Sequence, residues 1–235
     1  MPKKAPTRKE VKGKRENYLE MAEVLTIVEE LKHIANKKRA SYMKRSYLFT
    51  VYIVEFQALN GMRIGELLAI QPDNIDFKNK KLVIDGTIHW RKDGNKMGFK
   101  DTTKTASSYR TISLTTRSCD ILRKVMLENK KAVQWENMYV DRYFIFTSHR
   151  GTPLPLTSIN RNIQTATQNI GIEKHVTSYT MRHSHISLLS QLGVSLRAIM
   201  DRVGHTDPKT TLQIYSHVTE QMDKDIMNKL EMVGR

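Results

Sequence analysis

The apolar residues of this chain change their spacing twice, and that change limits the folds open to it. From residue 18 to about 60 the spacing is helical. In "NYLEMAEVLTIVEELKHIAN", Met21, Val24, Leu25, Val28, Leu31 and Ile34 recur as one face of a half-buried helix requires. Asn17 stands where an N-cap would, with Glu20 three residues on. A second helix fits "SYLFTVYIVEFQALNG" and closes at Gly61. "GELLAIQ" is a short helix that stops before Pro72. Between about 73 and 114 the spacing becomes strand-like. "KLVIDG", "TIHWRK" and "RTISL" are β-rich runs separated by turn residues, with a polar hairpin at "KDTTKTASS". Helical spacing then returns in "TRSCDILRKVMLENKKAVQ". The run "YFIFT" and the turn "SHRGTPLP" follow, and helices are predicted over about 156–170, 179–192, 195–202, 207–216 and 219–231. The expected fold class is mainly α with a small antiparallel β-sheet (α+β). One domain is expected over 18–235, behind a basic tail over 1–17.

Charge supplies the first functional clue. The 235 residues carry 39 Lys and Arg against 24 Asp and Glu, a formal balance of +15. Such a surplus favours a polyanionic partner, most often nucleic acid, although it also serves solubility alone. No apolar run approaches the length of a membrane span, and "MPKKAPTRKEVKGKRE" lacks the apolar segment of a signal peptide. The single cysteine, Cys119, excludes an internal disulfide and suits a reducing compartment.

Several side chains stand in places that a solubility role does not explain. Arg63 lies between Gly61 and Gly65 among apolar residues, where a guanidinium can approach an anion or pair with Glu66. Arg182 opens an amphipathic stretch, "TSYTMRHSHISLL". With Lys104 on the polar hairpin and His205, these form a phosphate-handling set. Arginine forks match phosphate oxygens and stabilise added negative charge, and lysine can protonate a leaving alkoxide. Tyr215 in "GHTDPKTTLQIYSHV" reads alone as a half-buried helix residue. A tyrosine becomes a nucleophile only where another group takes its proton. Metal chemistry finds no support, because His183 and His185 are two apart and do not share a helix face. No phosphate loop, dinucleotide glycine pattern or paired-cysteine motif occurs.

Taken in order, "LNGMRIGELLAI", "TKTASSYRTISL", "TSYTMRHSHISLL" and "VGHTDPKTTLQIYSHV" resemble the catalytic domain of the tyrosine recombinases, the phage-integrase family. The likeness runs from about Tyr18 to Val218. It implies that Tyr215 attacks a scissile phosphodiester, forming a 3′-phosphotyrosyl link and releasing a 5′-hydroxyl. Lys104 would protonate that leaving oxygen, Arg63 and Arg182 would hold the non-bridging oxygens, and His205 would hydrogen-bond the phosphate. Glu66 falls at the supporting acidic position. The "KTxxSxR" pattern continues through Ser108 to Arg110, a DNA-binding position. A second strand's 5′-hydroxyl would reverse the step, so neither ATP, metal nor another cofactor is implied.

Two departures stand out. The family pattern His-x-x-Arg has Tyr179 in place of histidine three residues before Arg182. A phenol can hydrogen-bond there but is a poor base, so slower chemistry is expected. His183 projects about 100° away around the helix and is not its expected substitute. The catalytic pattern also begins almost at once, so a catalytic domain without the N-terminal core-binding domain is expected. The C-terminal "TEQMDKDIMNKLEMVGR" reads as an amphipathic helix that packs on a neighbouring subunit or folds back. The implied partners are double-stranded DNA at attachment sites, a homotetramer on DNA that is a monomer when free, and accessory directionality or host DNA-bending proteins. The implied place is the nucleoid in the cytoplasm of a bacterial host. The alternatives are a DNA-binding relative with weak or lost catalysis, and type IB topoisomerase-like nicking and closing.

Overall fold

The computed structural model describes residues 17–90, 98–102, 109–205 and 208–233. The tail expected over 1–17 lies outside them except for Asn17, and so do Lys104, Ser108 and most of the polar hairpin.

Helix α1 spans Met21–Lys37. Its N-cap is Glu20 rather than Asn17, because Glu20 and Glu23 form a reciprocal capping box (Glu20 N–H to Glu23 Oε2, 2.8 Å). The buried stripe is Val24, Ile27, Val28, Leu31, Ile34 and Ala35. Leu25 falls off that stripe, about 100° from Val24, and is exposed.

Helix α2 runs Ser41–Asn60, five residues earlier than the apolar pattern indicates, because its first two turns expose Tyr42, Met43 and Lys44. Its second half is buried on most sides from Phe49 to Asn60, against α1 and the helices that follow. Gly61 ends it in the left-handed conformation, φ 71°, with its N–H on Gln57 O at 2.7 Å.

A short helix α3, Ile64–Leu68, and a 3₁₀ turn, Pro72–Asn74, lead into the β section. The small antiparallel sheet is in fact two. Strands β1 (Ile75–Asp76), β2 (Lys81–Ile84) and β5 (Arg110–Ser113) form one, with β2 in the middle. Strands β3 (Gly86–His89) and β4 (Phe99–Thr102) form the other. Leu82 opposes Ile112 and Ile84 opposes Arg110. Period-two alternation therefore puts Arg110 on the same inward face as buried Ile112.

Helix α4 (Thr116–Trp135) is capped by the Thr115 hydroxyl, which accepts the Ser118 N–H. The run "YFIFT" forms no ladder strand, only an isolated bridge between Thr147 and Pro153. Helices α5 (Leu156–Asn169), α6 (Ser178–Gln191) and α7 (Leu196–Val203) follow closely as expected. The expected break after residue 216 is absent: α8 is continuous over Lys209–Val233. Its first half packs on α6 and α7, and from Glu220 onward its described side chains are exposed. Gln221 still reaches Tyr18, and beyond it the described side chains of this segment do not fold back on the domain. No helix among the described residues is long and apolar enough to cross a membrane.

Two apolar clusters result. The main one joins α1–α5, the strands and Met181 of α6. The smaller one joins Ile186, Ile199, Val203, Ile214 and Val218 with Tyr18. The imidazole of His185 lies between the clusters, directly over Gly61, where an added Cβ would sit 2.2 Å from its Cδ2. Gly61→Ala is therefore expected to destabilise the fold by about 2 kcal/mol or more, through left-handed strain plus displacement of His185. Chemical denaturation checks this, and an unchanged midpoint would contradict it.

Candidate active site

Segments distant in sequence meet at Glu66. This residue is the third of α3, whose N-cap is Arg63. Its carboxylate accepts the Arg63 backbone N–H (3.0 Å) and Arg63 Nη1 (2.8 Å). From β5, Arg110 donates Nη2 at 2.8 Å and Nη1 at 3.3 Å. Burial alone would raise the Glu66 pKa. The hydrogen bonds and charges of Arg110, then Arg63, outweigh it and hold the carboxyl below its ordinary value.

The same two arginines grip the turn after α7. Arg63 Nη2 donates to Gly204 O at 2.8 Å, and Arg110 Nε donates to Arg202 O at 2.9 Å. Gly204 closes α7 at φ 71°, and a Cβ there would lie 2.6 Å from Arg110 Nη1. Glycine is what lets the guanidinium lie against the turn. Arg202 continues the brace, donating Nε to His185 Nε2 at 3.1 Å and Nη1 to Ser113 O at 3.2 Å. That bond assigns the His185 N–H to Nδ1, which faces Ala58 O at 2.9 Å. Burial, then Arg202, pushes the His185 pKa down to about 3, so it stays a neutral strut.

Arg182 is only 1% exposed. Its Nη1 donates to Gly61 O at 2.8 Å, while Nε and Nη2 are buried with no hydrogen-bond partner among the described residues. Burial, then the charge of Arg63, lowers its pKa to about 9, with Glu66 opposing. Two leftover buried donors on one cation carry a large local cost. The partner that fits such a fork is an oxyanion held at two points.

His205 follows Gly204, and its Nδ1 lies 2.5 Å from Oγ1 of Thr211, fully buried in the first turn of α8. Burial, then Arg182 and Arg63, pushes its pKa down to about 3. The imidazole is therefore neutral at physiological pH, in a form that can donate or accept a hydrogen bond. Tyr215 lies one turn beyond Thr211, half-buried against the smaller cluster, and its hydroxyl makes no hydrogen bond among the described residues. Tyr179 is exposed, and its ring meets that of His183 edge-on at 4.3 Å.

Direct bonds thus join Arg63, Glu66 and Arg110. Electrostatic interaction brings in Arg182 and His205, and Arg182 in turn feels Tyr179. Tyr215 joins through α8 and Thr211 rather than by contact with either arginine. Of the two readings drawn from its sequence, Arg63 shows the pairing with Glu66, and its side chain stays part-exposed. Gly204, Arg202 and Thr211 were not singled out by sequence, although the glycine preceding His205 is the signal for a left-handed turn that aims it. A cavity of about 730 Å³ beside α2 and α5 is lined by none of these site residues. Among the described residues, no group of three His, Cys, Asp or Glu could hold a metal ion.

Glu66→Gln tests the brace. At neutral pH the loss should be roughly 3 kcal/mol, as for one partner removed from a buried ion network. The folded-state pKa of Glu66 lies below its unfolded value. Its contribution is therefore full above the ordinary carboxylate range and is lost as pH falls through the lowered folded value. Urea unfolding of both proteins should show the gap narrowing as pH drops through the acid range. A gap that is constant with pH would contradict the assignment.

Comparison with known proteins agrees with this geometry. Residues 17–222 match the phage integrase family. The chain is 48% identical to the integrase of Staphylococcus phage L54a over 98% of its own length and 65% of that protein's. It is 37% identical to a prophage ps2 probable integrase of Lactococcus lactis, over 97% of this chain and 59% of that one. It therefore spans less than two thirds of the length of these relatives. Its fold matches the Tn1549 transposon integrase, solved with transposon right end DNA, at a TM-score of 0.68. That match has 20% identity and covers 91% of this chain and 66% of the other. It also matches XerA recombinase, at 0.62 and 20% identity over 96% and 66%. With the ordered motifs, the family match and the fold in agreement, the chain belongs to the phage integrase family of tyrosine recombinases.

Proposed function

We propose that this chain is the catalytic part of a site-specific DNA recombinase that integrates a phage or other mobile element. The observation that carries the reading is Arg182, a buried guanidinium with two unpartnered nitrogens beside Arg63 and His205. A phosphodiester supplies the two-point oxyanion that this fork fits.

In this reading Arg182 and Arg63 hold the non-bridging oxygens and stabilise the extra charge of the pentavalent transition state. Neutral His205 donates a hydrogen bond to the same phosphate. The Tyr215 hydroxyl loses its proton to solvent water as its oxygen attacks phosphorus. A 3′-phosphotyrosyl bond forms, the bond to the 5′ oxygen breaks, and Lys104 gives that oxygen its proton. A 5′-hydroxyl from a second strand then reverses the exchange, so phosphodiester energy is conserved. Glu66 and Arg110 brace the site. Arg110 is engaged by Glu66 and Arg202 O, which favours a role behind Arg63 over the direct DNA contact expected for it. Tyr179, exposed and edge-on to the His183 ring, offers a hydrogen bond where a histidine would offer a base.

Double-stranded DNA at attachment sites is the proposed substrate, on the nucleoid of a bacterial host. Homotetramer assembly on that DNA is supported by the outer half of α8, where Met222, Ile226 and Leu230 form an exposed apolar row. Accessory directionality and DNA-bending proteins remain part of the proposal through the family resemblance alone.

Covalent trapping on nicked duplex DNA containing the core site tests the chemistry. The chain should form a protein–DNA adduct that is lost completely in Tyr215→Phe. Arg182→Lys should lower its yield by roughly a hundredfold, because lysine cannot hold two oxygens in a plane. Tyr179→His should speed adduct formation. Undiminished adduct from Tyr215→Phe would refute the assignment of the nucleophile.

A further inference from the structure

The residues that follow Arg182 and Tyr215 along their helices hold the first described residues of the chain. On α6, His183 Nδ1 faces the Asn17 carbonyl at 3.2 Å, and Ser184 Oγ accepts the Leu19 N–H at 2.9 Å. On α8, Gln221 Oε1 accepts the Tyr18 hydroxyl at 3.3 Å, and the His217 ring meets Tyr18 edge-on at 6.2 Å. Lys174 Nζ donates to the Tyr18 carbonyl at 3.2 Å. Residues 17–19 thus form a strap between the helix of Arg182 and the helix of Tyr215.

The packing beneath the strap is unequal. The smaller cluster is built from Ile186 of α6, Ile199 and Val203 of α7, and Ile214 and Val218 of α8. Its remaining member is Tyr18, brought from the far end of the chain and 7% exposed. Ile214 and Val218 flank Tyr215 on α8, and the Tyr215 ring packs on the same cluster. Leu19, the next residue, belongs to the main cluster instead. Tyr18 therefore closes the patch that seats the Tyr215 helix, and Leu19 ties that closure to the rest of the domain.

We infer that Tyr18 is a positioning residue for Tyr215, acting through α8. The inference rests on the reading of Tyr215 as the nucleophile. A six-residue satellite cluster opens at lower free energy than the main core, and an aromatic ring is a large share of it. Movement of the strap shifts α8, and nucleophilic attack is sensitive to displacements of an ångström or less.

Hydrogen exchange and cleavage, measured together on the wild type, Tyr18→Ala and Tyr18→Phe, test this. Tyr18→Ala should speed amide exchange over residues 209–221 by at least about tenfold while residues 49–58 of α2 keep their protection. Adduct formation on nicked DNA should slow by at least about tenfold with DNA affinity unchanged. Tyr18→Phe, which keeps the ring, should restore most of both. Unchanged exchange over 209–221 would overturn the inference. So would equal loss of protection over 49–58, which marks general destabilisation, or faster exchange with wild-type cleavage. If the wild type itself formed no adduct, the catalytic reading would fail, and the exchange comparison would still decide whether the strap seats α8.

Discussion

The carboxylate of Glu66 is the interaction on which the rest of the site depends. Three guanidiniums, from Arg63, Arg110 and Arg182, converge within one electrostatic neighbourhood. Without a buried anion they would repel one another and draw the surrounding backbone apart. Glu66 takes Arg63 from its own helix and Arg110 from β5, and through them it fixes Gly204 and Arg202. Among the described side chains, Arg63, Arg110 and Arg182 outnumber the one carboxylate and leave the site net positive. A pentavalent phosphorane carries about two negative charges, so the imbalance matches the transition state better than the singly charged phosphodiester. Burial first, and the charge of Arg63 second, disfavour the charge of Arg182, with Glu66 opposing.

Around this fixed centre the two apolar clusters divide the labour. The main cluster holds α3, β5 and the start of α6, so Arg63, Glu66 and Arg110 stand on rigid elements. The smaller cluster holds the rest of α6, with α7 and α8. Tyr215 is carried on this smaller unit, linked to the rigid centre by His205 and Thr211, by the arginine grip on Gly204, and by the Tyr18 strap. The groups proposed to bind phosphate are thus preorganised, while the proposed nucleophile rides on the smaller of the two packed units.

Much of this was legible in the sequence because it is local. Most helices follow from apolar spacing, apart from the start of α2 and the join within α8, and the residues of the site sit in four short motifs whose order is specific. The misreadings are also physical. Leu25 has the composition of a core residue but the wrong angle around α1. Asn17 is a good cap by type, yet Glu20 and Glu23 cap each other, and the Asn17 carbonyl serves His183 instead. The pause expected between 216 and 219 is absent: the Thr219 hydroxyl bonds back to the Tyr215 and Ser216 carbonyls and the helix runs on. What could not be read is pairing across the chain. Nothing near Arg110 says that its carboxylate lies 44 residues earlier. Nothing near Tyr18 says that it closes a cluster built almost 170 residues later.

The central claim is that Arg182 and Arg63 form a preorganised phosphate site behind which Glu66 and Arg110 do not move. A crystal structure of the Tyr215→Phe protein on uncleaved core-site DNA tests it most directly. The account predicts one scissile phosphate with non-bridging oxygens about 3 Å from Arg182 Nη2 and from the Arg63 guanidinium. It also predicts that both Glu66 ion pairs stay as they are in the free chain. A scissile phosphate bound away from Arg182, or a Glu66 carboxylate released by Arg110 on binding, would contradict it.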